Sequence, residues 1–128
     1  MIEFFASPRT AEEAVRLKRE HPGAIYVAGS TDIAVELYHE TLRADGLIDL
    51  SQIAELRGLD SKKRMIGALT TFSQLSRFDG MDLELLLLKE MARNVAAVQV
   101  RNRGTIGGNI ANANPAAHNT TATTTTII

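Results

Sequence analysis

No cysteine occurs anywhere in the 128 residues. Disulfides and thiolate metal sites are therefore excluded, and the chain cannot hold an iron–sulfur cluster through sulfur. Any such cluster must sit on a partner. Charge of either sign is not in excess: 14 basic against 15 acidic residues leave a formal net charge of −1. That balance gives no reason to expect nucleic acid or an anionic membrane as a partner. A long apolar run is also lacking. Leu85 to Leu88 is too short to cross a bilayer, and charges flank it. No basic stretch followed by an apolar run opens the sequence, so a cytoplasmic protein is expected rather than a secreted one. The three histidines, His21, His39 and His118, share no metal-ligand spacing, and no metal site is expected. His21 precedes Pro22 and suits a helix end, whereas His39 reads as a surface residue. No acid–base pair or nucleophile stands out, so no catalytic residue is assigned.

What is present fits one domain-sized globular chain, with 45% hydrophobic residues to form a core. Thr10 and Glu13 form a capping-box pattern, and Ala11, Ala14, Val15 and Leu17 supply an apolar stripe that His21-Pro22-Gly23 ends. Glu12, Glu13, Arg16, Lys18 and Arg19 read as the wet side of that helix. Residues 24–28 read as a strand, 33–38 as a short helix and 47–50 as another strand. A hairpin is expected from 58–60 and 65–68 around Ser61-Lys62-Lys63. Thr71 and Gln74 repeat the capping-box pattern. Residues 82–93 form an amphipathic helix with Leu83, Leu86, Leu87 and Met91 on one face, and the 85–88 leucines read as core. The threonine-rich end, 120–128, favours extended structure or an unstructured tail.

Two glycine-bearing segments interrupt this alternation. The second, residues 98–115, places Gly104, Gly107 and Gly108 among short apolar runs with Thr105 and Asn109 beside them and no acid within it. Glycine permits close backbone approach and positive φ, so successive amides can form an anion-binding nest. The spacing is neither a Walker loop nor the G-x-G-x-x-G fingerprint. Arg101 and Arg103 just before it read as structural rather than diphosphate ligands. The first segment, Tyr26-Val-Ala-Gly-Ser-Thr-Asp-Ile33, runs from a strand into a helix. Gly29 makes the turn, Ser30 and Thr31 offer hydroxyls, and Thr31 or Asp32 caps the helix, whose amino end suits a diphosphate. Asp32 would repel phosphate, so an amide or a sugar hydroxyl is its expected partner.

Taken together these segments resemble the flavin-binding medium subunit of the molybdenum hydroxylases, the xanthine dehydrogenase and carbon monoxide dehydrogenase family. Ala28-Gly-Ser-Thr-Asp32 is similar to that family's Ala-Gly-Gly-Thr-Asp loop, with Ser30 for the second glycine. Leu47-Ile-Asp-Leu-Ser-Gln-Ile-Ala-Glu-Leu-Arg-Gly58, Ile66-Gly-Ala-Leu-Thr-Thr71 and Gln99-Val-Arg-Asn-Arg-Gly-Thr-Ile-Gly-Gly-Asn-Ile-Ala-Asn-Ala113 follow in the same order. The resemblance runs to about residue 117, and His118 stands where the family has an aspartate. It implies an α+β fold: a small α/β FAD-binding subdomain over 1–55, the start of a second mixed subdomain over 56–118, and a tail over 119–128.

The resemblance further implies that Tyr26, Val27, Ala28, Gly29, Ser30, Thr31, Asp32 and Ile33, with Thr105, Ile106, Gly107, Gly108 and Asn109, bind FAD. Val95 is implied to pack near the cofactor. The implied partners are a molybdopterin-binding large subunit and a 2Fe-2S small subunit, with electrons passing through FAD to NAD or another acceptor. Two alternatives stand beside it. The chain is the N-terminal portion of such a subunit acting only as a folding or assembly module without flavin, or it is a stand-alone reductase of the related peptidoglycan-precursor reductase fold.

Overall fold

Helix α1 (Ala11–Glu20) starts where its capping signal predicts. Thr10 Oγ1 accepts the Glu13 amide at 3.1 Å, while the Glu13 carboxylate takes the Arg9 amide at 3.1 Å, one residue before the cap. Acids thus lie at the positive end of the helix dipole and Lys18 and Arg19 at the negative end. Lys18 does more than stay wet. Its ammonium donates to the carbonyls of Pro22, at 2.8 Å, and Ala24, taking up main-chain acceptors just past the helix. The His21 amide closes on the Leu17 carbonyl at 2.9 Å, and the His21 ring stacks on Phe4 at 3.7 Å between centroids.

The computed structural model describes residues 2–28, 44–79, 83–94, 104–112 and 126–127, and it divides into two units, Met1–Glu55 and Leu56–Ile128. In the first unit, β1 (Phe4–Ala6), β2 (Ala24–Val27) and β3 (Gly46–Asp49) form a parallel sheet in the order β1-β3-β2. Ala24, Val27, Ile48 and Ile53 are buried about it, together with Ala14 of α1. The expected apolar stripe on α1 is corrected at one position. Val15 is 46% exposed, because the buried line of the helix centres on Ala14 and residue 15 lies about 100° round the axis from it. The helix predicted at 33–38 lies outside the described residues.

The second unit begins with a hairpin, β4 (Leu59–Asp60) against β5 (Met65–Ile66), shorter than predicted. Asp60 Oδ1 accepts the Lys63 amide at 3.1 Å and holds the turn. Strand β6 (Thr126–Ile127) adds in parallel to β5. Helix α2 (Phe72–Arg77) carries the full capping box, Gln74 N–H to Thr71 Oγ1 at 3.2 Å and Thr71 N–H to Gln74 Oε1 at 2.9 Å. Helix α3 (Leu83–Asn94) packs against α2. Its buried face is Leu88 and Ala92, with Leu85 and Met91 half-buried, joined to Ile66, Phe72, Leu75 and Ile106 in one cluster. The predicted face of Leu83, Leu86 and Leu87 is therefore corrected: these are 72%, 45% and 57% exposed. Four successive leucines put an apolar side chain at every azimuth, so periodicity cannot choose among overlapping stripes.

Candidate functional site

The second glycine segment is not an open loop where it is described. Helix α4 (Ile106–Asn112) begins inside it. Thr105, buried at 6% exposure, acts as the cap: its Oγ1 accepts the Gly108 amide at 3.1 Å and its carbonyl the Asn109 amide at 3.1 Å. The two preceding amides turn to the stretch that follows β5. Ile106 N–H donates to the Thr70 carbonyl at 3.0 Å and Gly107 N–H to the Ala68 carbonyl at 2.9 Å. Phe72 N–H reaches back to the Gly104 carbonyl at 3.2 Å, and Thr71 and Thr105 form an antiparallel bridge.

This corrects the expectation of an amide nest. Every amide from Ile106 to Asn109 already has an acceptor within the chain, because the segment has become a helical turn pinned to a strand-like partner. Gly107 is explained by that pinning. A Cβ there would lie 2.7 Å from the Ala68 carbonyl oxygen and 2.8 Å from the Ala68 Cβ, so only glycine lets the backbones meet. At Gly108 a Cβ would meet only the Thr105 hydroxyl, at 3.0 Å.

Of the expected ligands in this segment, Thr105 and Ile106 are buried, with Ile106 in the apolar cluster, while Gly107, Gly108 and Asn109 are half-buried. The first turn of α4 holds no acid, and its dipole favours negative charge nearby. The surface left to a ligand is uncharged backbone and small side chains. With the four amides from Ile106 to Asn109 already taken, a diphosphate held there would be favoured by the helix dipole rather than by free donors.

The other segment is described only at its start. Tyr26 and Val27 end β2 and Ala28 follows it, at the carboxyl end of a parallel sheet, where ligands of α/β folds commonly bind. Val27 is buried, and the Tyr26 hydroxyl is directed onto α1, donating to the Ala14 carbonyl at 3.3 Å. Gly29, Ser30, Thr31, Asp32 and Ile33 lie outside the described residues, as do His39, Val95, Arg101, Arg103 and His118. Among the described residues no three acids or histidines cluster as metal ligands, and no helix is long and apolar enough to cross a membrane.

Two contributors escaped the sequence reading. Ala68 and Thr70 hold the start of α4 through main-chain carbonyls, which leave no side-chain signature. The one available signal is that both lie inside the Ile66–Thr71 motif.

A parallel βαβ unit and a mixed second unit with a glycine-bearing helix start give the chain an α+β fold. Residues 2–126 match the family described as the FAD binding domain in molybdopterin dehydrogenase, and the chain belongs to that family. FAD is the cofactor that membership assigns to the domain. The chain is 34% identical to a xanthine dehydrogenase FAD-binding subunit of Escherichia coli O157:H7 over 96% of its own length and 44% of the relative's. It is 36% identical to the nicotinate dehydrogenase FAD-subunit of Eubacterium barkeri over 97% of its length and 43% of that chain. Among solved structures, a carbon monoxide dehydrogenase from Hydrogenophaga pseudoflava superposes with a TM-score of 0.80 at 32% identity, covering 90% of this chain and 41% of that one. The chain thus spans less than half the length of the relatives it matches. The family match also corrects the expected break at residue 117, since it continues to 126. Thr126–Ile127 pairs with β5.

Proposed function

We propose that this chain is the FAD-binding, electron-transferring component of a molybdenum hydroxylase. Its partners in that role are a molybdopterin-binding large subunit and a small subunit carrying 2Fe-2S clusters, and electrons leave for NAD or another acceptor. The observation that carries this reading is the match to an FAD-binding family along residues 2–126. Absence of cysteine is consistent with that division of labour, because these 128 residues offer no thiolate to a cluster. When bound, FAD supplies the redox chemistry, and the protein supplies position and electrostatics. A cytoplasmic location belongs to the same reading.

The residues proposed to hold the cofactor are Tyr26, Val27, Ala28, Gly29, Ser30, Thr31, Asp32 and Ile33 in one segment and Thr105, Ile106, Gly107, Gly108 and Asn109 in the other. Their separate parts follow from what each can offer. Ile106 contributes by anchoring the α4 start in the apolar cluster, while Gly108 and Asn109 present the half-buried surface. Tyr26 contributes main chain, since its hydroxyl is directed to Ala14. Equilibrium dialysis of the purified chain against FAD, read at the flavin absorbance bands, tests the reading. One equivalent of retained flavin is expected, and a chain that stays colourless at saturating FAD overturns it.

A further inference from the structure

Thr70 is bonded on both sides of its segment. On one side its side chain, buried at 3% exposure, grips a single residue: Thr70 Oγ1 accepts the Gly58 amide at 3.1 Å and donates to the Gly58 carbonyl at 3.0 Å. Gly58 has a φ of 97°, a left-handed conformation that glycine adopts readily. Gly67 N–H also donates to the Gly58 carbonyl, at 2.8 Å, and Leu69 N–H to the Leu56 carbonyl, at 2.8 Å. On the other side the Thr70 carbonyl accepts Ile106 N–H, one residue from the Gly107 amide held by Ala68. The turn at 56–58 is thereby linked through one residue to the first turn of α4.

We infer that Thr70 is a positioning residue for FAD: its hydroxyl, locked onto Gly58, fixes the carbonyl that sets where the α4 start meets the cofactor. The inference rests on the proposed place of Gly107, Gly108 and Asn109 in the FAD site. Its physical content is that a buried hydroxyl satisfied at both donor and acceptor holds a main-chain carbonyl still, and cofactor affinity depends on such pre-organisation. Valine matches threonine in shape but makes neither bond, leaving the Gly58 amide without that acceptor. Serine keeps the hydroxyl.

The test is FAD titration of the wild-type chain, Thr70→Val and Thr70→Ser, well below each melting temperature so that every sample is folded. Thr70→Val is expected to raise the FAD dissociation constant about ten-fold, and Thr70→Ser to restore it to within about two-fold of wild type. A lower melting temperature with an unchanged dissociation constant for Thr70→Val shows a purely structural residue and overturns the inference. Amide hydrogen exchange in the wild-type chain requires no variant to fold. FAD is expected to slow exchange at Ile106 and Gly107 and, across Thr70, at Gly58. Protection at the first two without Gly58, or at none of the three while FAD binds, overturns the coupling. A wild-type chain that binds no FAD overturns the functional reading itself, a result distinct from either.

Discussion

Gly107 carries no side chain because Ala68 occupies the place where one would sit. Replacing it with valine therefore acts first through the Ala68 backbone, and any loss of flavin in that variant reflects a displaced helix start. Gly107→Ala is expected to destabilise the chain by about 1–3 kcal/mol, in the range of overpacking a close contact. Gly108→Ala is expected to cost less, since its new methyl meets only a hydroxyl that can shift. Urea melts of both variants check this, and equal midpoints would mean that the Ala68 contact does not govern the site. The need for glycine at 107 was legible in the sequence, but its cause was not. A run of glycines signals close approach to something, and whether that is a ligand or the chain's own backbone depends on what lies 39 residues earlier, at Ala68.

At the scale of elements, local chemistry decided the helix starts. Thr10 and Thr71 cap α1 and α2 as their spacing predicts, because the cap and its partner are three residues apart and fold together. Thr71→Ala removes an acceptor from the Gln74 amide and is expected to cost about 0.5–2 kcal/mol in a thermal or urea melt. An unaltered midpoint would show the cap to be redundant. The face of α3 is a different case, since two leucine stripes compete and only the position of α2 selects between them. Leu88→Ala is expected to cost about 2–5 kcal/mol, as for a buried leucine, whereas Leu87→Ser on the exposed side is expected to stay within about 0.5 kcal/mol of wild type. Reversed magnitudes would restore the face that periodicity favoured. Lys18 shows the same limit on a smaller scale. It reads as wet from its place on the helix, yet the turn beyond α1 brings two carbonyls to its ammonium.

For the whole molecule, ordered matches at Ala28–Asp32, Leu47–Gly58, Ile66–Thr71 and Gln99–Ala113 identified the family that residues 2–126 then matched. Those motifs are readable because each is short and contiguous. If the chain holds FAD, ligand linkage follows: FAD at about 100 times its dissociation constant is expected to stabilise the folded state by about 2.7 kcal/mol. The melting temperature then rises by several degrees as FAD is added. A melting temperature indifferent to saturating FAD would contradict specific binding to the native chain.

The sequence by itself determined the family, the cofactor, both caps and the lack of any thiolate for a cluster, because each is written in neighbouring residues or in composition. Tertiary structure alone decided which leucines of α3 are core, why Gly107 must be glycine, and that the α4 amides are closed on Thr70, Ala68 and Thr105 rather than open as a nest. Those outcomes depend on main-chain groups and packing partners brought together across the chain. A backbone carbonyl is the same in every residue, so no residue type announces where it will be used.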